Sequence, residues 1–194
     1  MIQKLSTMIS NQFVKRNIIS EDAQDMYKYG VEITISSLIG FILVTIIGII
    51  FNSFMQALIF YVIFVALRSM TGGYHASTYL KCNTIFSFVA LFTMLFSKAA
   101  SEIQFSVGII TSLFVPAVAI FLWLAPIENP NKPIEKKNRL YWKVIAVSIS
   151  VLLYILSILI YINQHIFESA VVIMTVFVVS ILCMIPFIQK GGKS

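Results

Sequence analysis

Six apolar runs, at about 33–51, 54–67, 84–97, 105–125, 144–162 and 166–188, leave this chain few ways to fold. A hydrocarbon crossing takes about 20 helical residues at about 1.5 Å of rise each. Only helices and closed barrels pair all their backbone groups there. The second and third runs hold 14 residues each. That length covers about 21 Å of a core about 30 Å thick. Their helices are therefore expected to extend into the polar connection 68–83, to thin the bilayer, or to lean on neighbours. With 59% of residues hydrophobic, 11% charged and a mean hydropathy of +0.92, there is too little polar surface to cover a soluble core. The expected fold is an all-α integral membrane protein of six transmembrane helices, with the lipid bilayer as its first partner.

Basic residues orient such a chain, because Lys and Arg accumulate on the cytoplasmic side. With a cytoplasmic N-terminus, thirteen of the fourteen basic residues fall on the inner side and only Lys98 lies outside. Both termini are then cytoplasmic. Residues 1–30 read as an interfacial region, 31–190 as the six-helix domain and 191–194 as a short tail. Ile2, Leu5, Ile9 and Phe13 recur at helical spacing, with Lys4, Lys15 and Arg16 mostly off that stripe. The pattern predicts an amphipathic helix on the inner leaflet, or else a loosely held anchor. Ser20, followed by Glu21 and Asp22, is expected to cap a second helix running through Tyr29 into the first span. Ser36 and Gly40 suggest a packing face in that span. Between the fourth and fifth runs, Pro126, Pro130 and Pro133 predict an extended inner loop. Its basic end, with Lys132, Lys136 and Lys137, can set topology or attract an acidic lipid or peptide.

One polar island interrupts this pattern: RSMTGGYHASTYLKC, residues 68–82. Arg68 and Lys81 can snorkel to the interface, but topology does not account for His75 and Cys82. An imidazole that takes a thiol proton and returns it to a leaving amine is the minimum set for cysteine peptidase chemistry. Along an unbroken helix the seven-residue separation of His75 and Cys82 would leave them about 10.5 Å apart, against a reacting distance of about 3–3.5 Å. The helix must therefore break, and Gly72 and Gly73 supply the backbone freedom to break it. Ser77 or Thr78 can cap the helix that follows, placing Cys82 near its positive end.

The same residues also fit blander roles. A membrane cysteine often only packs, and His75 can be an interfacial hydrogen-bonding group. A small transporter or peptide-export component with a polar path lined by His75 and Arg68 is the rival reading. Cys183, without polar company in the last run, reads as a packing residue, and His165 as a solvated loop residue. Other hydrolytic chemistries lack their parts, since no Asp follows Asp25 and neither HExxH nor GxSxG occurs. Two histidines and two scattered cysteines make a poor zinc site. No metal or cofactor is expected, and no nucleic-acid partner.

The spacing R-x4-G-x-H-x6-C on Arg68, Gly73, His75 and Cys82 resembles the accessory gene regulator protein B (AgrB) family of quorum-sensing peptide processors. KYGVE at 28–32, the loop APIENPNKPI, the size and the six-run layout resemble it too. The resemblance implies a bacterial membrane cysteine endopeptidase acting, on the cytoplasmic side, on an AgrD-type propeptide. Such a substrate has an amphipathic leader, a central signal segment and an acidic C-terminal tail. By position, Cys82 is the nucleophile and His75 the general base and acid. Arg68, Gly73 and Gly72 serve as supports of charge and turn, and Lys132, Lys136 and Lys137 as attractors of the tail. The tail is cut off, the signal segment is held as a thioester, and the product is a thiolactone ring. A homodimer is an open possibility.

Overall fold

The structure is a computed structural model and describes residues 2–73, 78–103, 105–127 and 136–191. It consists of helices α1 (Ile2–Lys15), α2 (Gln24–Ile50), α3 (Phe54–Thr71), α4 (Tyr79–Glu102), α5 (Val107–Leu124), α6 (Lys136–Ile162) and α7 (Ile166–Gly191). A 3-10 turn at Glu21–Ala23 leads into α2, and there is no strand among the described residues. Six of these helices, α2 to α7, are long and apolar enough to cross a membrane. This is a multi-pass membrane protein.

The helices outrun the apolar stretches that announce them. α3 continues to Thr71 and α4 begins at Tyr79, so both short runs extend into the polar connection as their length requires. α6 starts at Lys136, well before the apolar run at 144. Hydropathy marks what hydrocarbon touches, whereas a helix continues until proline or glycine stops its hydrogen bonding. The expected Ser20 cap is corrected. Its backbone is extended (φ −75°, ψ 157°) but its side chain makes no cap bond, and the 3-10 turn carries the chain into α2 instead.

Three helix ends share one device. Asn17, Asn52 and Gln164 adopt positive φ (54°, 50° and 69°). The next N–H in each case reaches back to a carbonyl of the last turn: Ile18 to Phe13 at 2.9 Å, Ser53 to Gly48 at 2.7 Å and His165 to Ile160 at 3.2 Å. These closures satisfy carbonyls that a membrane helix end would otherwise leave bare.

Contacts divide the chain into two compact units, Met1–Leu43 with Ala76–Ser87, and Val44–His75 with Phe88–Ser194. In the first, α2 and the start of α4 meet along a polar-to-apolar ladder. Tyr79 Oη donates to Glu32 Oε2 at 2.5 Å, Ser36 Oγ to Asn83 Oδ1 at 3.2 Å, and Gly40 lies against the Phe86 ring. Both hydrogen bonds join residues 47 apart in sequence, so the two helices run parallel here. Ser36 and Gly40 do form the packing face their spacing suggested. α1 buries Ser6 and Ser10 while Leu5 and Met8 are exposed, so its polar seam meets protein and part of its apolar stripe is left for lipid.

In the second unit α7 is the central helix. Two-thirds of its span (67%) is buried, against 17–33% for the other five spans. α3, α5 and α6 pack around it. Ala100, Phe105, Ile110, Ala170 and Ile173 form one buried cluster, flanked by a stacked Phe114–Tyr154 pair with centroids 4.2 Å apart. The turn from α6 to α7 is locked by two serines. Ser157 Oγ donates to the Ser169 carbonyl at 3.1 Å and Ser169 Oγ to the Ser157 carbonyl at 2.8 Å. Hydrogen bonds of this kind between membrane helices are worth about 0.6–2 kcal/mol. Ser157→Ala and Ser169→Ala are each expected to lose about that much stability, and the double variant less than the sum, because the hydroxyls also contact each other. Thermal unfolding in detergent measures this, and strictly additive losses would refute it.

Candidate active site

The polar island divides between the two units. α3 ends at Thr71, where the Gly72 N–H bonds to the Arg68 carbonyl at 3.1 Å and closes the last turn. Gly72 then takes φ 66° with ψ −146°, and Gly73 takes φ 125°. No L side chain adopts that sequence of angles readily. Space demands glycine as well. A Cβ on Gly72 would overlap the Ile127 carbonyl, and one on Gly73 would strike the Arg68 guanidinium and sit 3.1 Å from the Leu182 carbonyl oxygen. The helix break that the glycine pair predicts is present, since α4 does not begin until Tyr79.

Several donors hold this turn. Arg68 folds back along α3 so that Nη1 donates to the Gly72 carbonyl at 2.6 Å, which ties the guanidinium to the backbone of the break. Thr71 Oγ1 lies 3.0 Å from the Leu67 carbonyl and 3.3 Å from that of Gly72. Cys183 Sγ, fully buried on α7, approaches the same Gly72 carbonyl at 3.9 Å. Cys183 therefore has the polar company that its apolar sequence neighbours did not suggest. Beyond α5, the Ile127 N–H donates to the Thr71 carbonyl at 2.8 Å and fastens the start of the proline loop to the end of α3.

On the other side of the break, Thr78 precedes α4 and caps it. Its Oγ1 accepts from the Lys81 N–H at 3.3 Å, and its carbonyl accepts from the Cys82 N–H at 3.0 Å. Cys82 is thus the fourth residue of α4, and it is half-buried. The amides of Tyr79 and Leu80 lie in the turn ahead of it, where helix N–H groups have no partner within the helix. His75 lies outside the described residues, as does Lys132. Lys136 and Lys137 open α6, but their side chains are outside the described set. Lys143 is engaged elsewhere, its Nζ donating to the Leu122 carbonyl at the end of α5 at 2.8 Å. Among the described residues no group of three or more metal-ligating side chains occurs.

One residue near the island was passed over. Glu32 is only 8% exposed, and its two carboxyl oxygens accept hydrogen bonds from Ser6 Oγ (3.0 Å) and Tyr79 Oη (2.5 Å). A signal was present in the sequence, because an ionisable group at the start of an apolar run is costly and so marks function.

Comparisons with known proteins find relatives of this chain. The profile of the family Accessory gene regulator B matches residues 6–186. An AgrB-like protein of Clostridium perfringens is 31% identical over 173 residues, covering 84% of this chain and 80% of the relative. An AgrB-like protein of Clostridium beijerinckii is 27% identical over 159 residues, covering 81% of this chain and 79% of the relative. Protein FsrB of Enterococcus faecalis is 27% identical over 135 residues, covering 65% of this chain and 54% of that protein. No solved structure matches the chain significantly. A six-span chain with its helix broken at paired glycines, matched over nearly its whole length, belongs to the accessory gene regulator B family.

Proposed function

We propose that the chain is a membrane-embedded cysteine endopeptidase that processes a quorum-sensing propeptide of the AgrD type. Membership of the family links it to autoinducer processing. The observation that carries the enzymatic reading is the break at Gly72–Gly73, with Cys82 capped into the first turns of the helix that follows. An unbroken helix would have held His75 and Cys82 about 10.5 Å apart; α3 ends at Thr71 and α4 begins only at Tyr79, which lifts that restriction.

His75 takes the Cys82 thiol proton, and the thiolate attacks the carbonyl carbon at the junction of signal segment and acidic tail. Negative charge gathers on the carbonyl oxygen, for which the Tyr79 and Leu80 amides at the positive end of α4 are candidate donors. The C–N bond breaks as His75 returns the proton to the leaving amine, and the signal segment is left as a thioester on Cys82. His75, unprotonated again, takes the proton of a thiol within that segment; the thiolate attacks the acyl carbon, the bond to Cys82 breaks, and the proton passes to the Cys82 sulfur, closing a thiolactone and regenerating the enzyme. Exchange of one thioester for another is close to neutral in free energy, so no nucleotide is required. Water must be kept from the intermediate, which a site sunk among apolar helices favours.

The distribution of basic residues supports a site on the cytoplasmic side. The substrate's amphipathic leader would lie on the inner leaflet. Lys132, Lys136 and Lys137 would draw the acidic tail, without Lys143, whose ammonium is engaged with α5.

Cys82→Ala and His75→Ala are each expected to abolish propeptide cleavage in proteoliposomes while membrane insertion stays normal, and full cleavage by purified Cys82→Ala would reject the enzyme in favour of a non-catalytic transporter. Joint neutralisation of Lys132, Lys136 and Lys137 is expected to raise KM and to flatten its dependence on salt. Kinetics at low and high ionic strength check this. An unaltered salt response would leave those lysines with topology alone.

A further inference from the structure

Glu32 has no part in the steps above, yet its surroundings join it to them. The carboxyl group is buried, and it takes one hydroxyl from each of two different helices: Ser6 of α1 on Oε1 and Tyr79 of α4 on Oε2. A buried carboxyl group whose oxygens lacked partners would be costly in an apolar setting, and here both are satisfied. Tyr79 is the first residue of α4, three before Cys82.

The first turn of a helix is its loosest part, since its leading N–H groups lack helical partners. Here, further along α4, the helix is held to α2 by Ser36–Asn83 and by the close approach of Gly40 to Phe86. Those contacts fix the body of the helix. At its tip, the Tyr79–Glu32 bond is the side-chain tie to α2, and it acts on the turn ahead of the thiol.

We infer that Tyr79 is a positioning residue for Cys82: its phenol, anchored on Glu32 and through it to Ser6 of α1, fixes the angle at which the first turns of α4 present the thiol. The inference rests on the proposed role of Cys82. It makes α1 more than a surface anchor, because the interfacial helix then braces the nucleophile through a single shared carboxyl group. An error of about 1 Å in the placement of a reacting group can cost on the order of 100-fold in rate, so even a small release of this turn is measurable.

The test measures cleavage of an AgrD-type propeptide by full-length protein in liposomes, with rates expressed per folded molecule. Tyr79→Phe keeps the ring and removes the hydroxyl; it is expected to lower kcat at least tenfold while KM stays within about twofold, since the phenol is assigned no contact with substrate. Glu32→Ala is expected to have a similar effect, and the double variant no more than the larger single one, because both break the same tie. Glu32→Gln keeps an acceptor oxygen and is expected to restore most of kcat. Ser6→Ala, which leaves the Tyr79 bond in place, is expected to show a smaller loss of the same kind. It also serves as the second variant should Tyr79→Phe fail to fold. A Tyr79→Phe protein with lower thermal stability but unchanged kcat would overturn the inference, as would additive losses in the double variant. Cys82→Ala, run in parallel, separates the two ideas. If it still cleaves, the enzyme reading itself has failed; if it is inert while Tyr79→Phe and Ser6→Ala match the parent, only the positioning role has.

Discussion

The backbone carbonyl of Gly72, where α3 breaks, governs the architecture around the polar island. In hydrocarbon an unpaired C=O costs several kcal/mol, so a helix can stop at membrane depth only where other groups take over its bonds. At Gly72 that substitution comes from three side chains: Arg68 from within the same helix, Thr71 beside it and Cys183 from the central helix. Ile127 does the same for Thr71. The break is therefore not a weak point in the chain. It is a junction where α3, α7 and the segment after α5 are held to one another.

The two units solve the problem of helix association differently. Around α7 the contacts are dense and apolar, with Ala, Val and Ile packed by shape and the few hydroxyls returned to nearby carbonyls. Between α2 and α4 the contact is graded, from a buried carboxyl at Glu32 through an Asn–Ser pair to glycine against phenylalanine. Lipid gives apolar side chains no reason to prefer each other, so directional polar bonds must set register there. The common offset of 47 residues in the two bonds is the mark of such a register, and it holds α2 and α4 parallel.

Much of this was legible in advance. The six spans, the break at Gly72–Gly73 and a cap at Thr78 follow from run length, glycine conformation and hydroxyl position, all of which are local properties. What could not be read was partnership. Nothing near Cys183 in sequence hints at the Gly72 carbonyl, because the two are 111 residues apart. Arg68 looked like a charge for the active site, yet its guanidinium is bonded to the glycine turn. Glu32 was quoted only as part of a short motif. Its burial depends on α1 and α4 arriving from either side, which no window of sequence contains. The Ser20 cap failed for a smaller reason, since the 3-10 turn takes up the acidic residues that seemed to open a regular helix.

The connections between α2 and α7 are unequal in length. Residues 51–53, 103–106 and 163–165 are short links between consecutive helices, while 72–78 and 125–135 are long. Gln56 and Glu168, at the starts of α3 and α7, bind each other at 2.9 Å and stitch two of the short links together. Both long connections start at the glycine junction, one with Gly72 itself and the other with Ile127 bonded to the Thr71 carbonyl, so a change of length in either begins at a point that is already pinned.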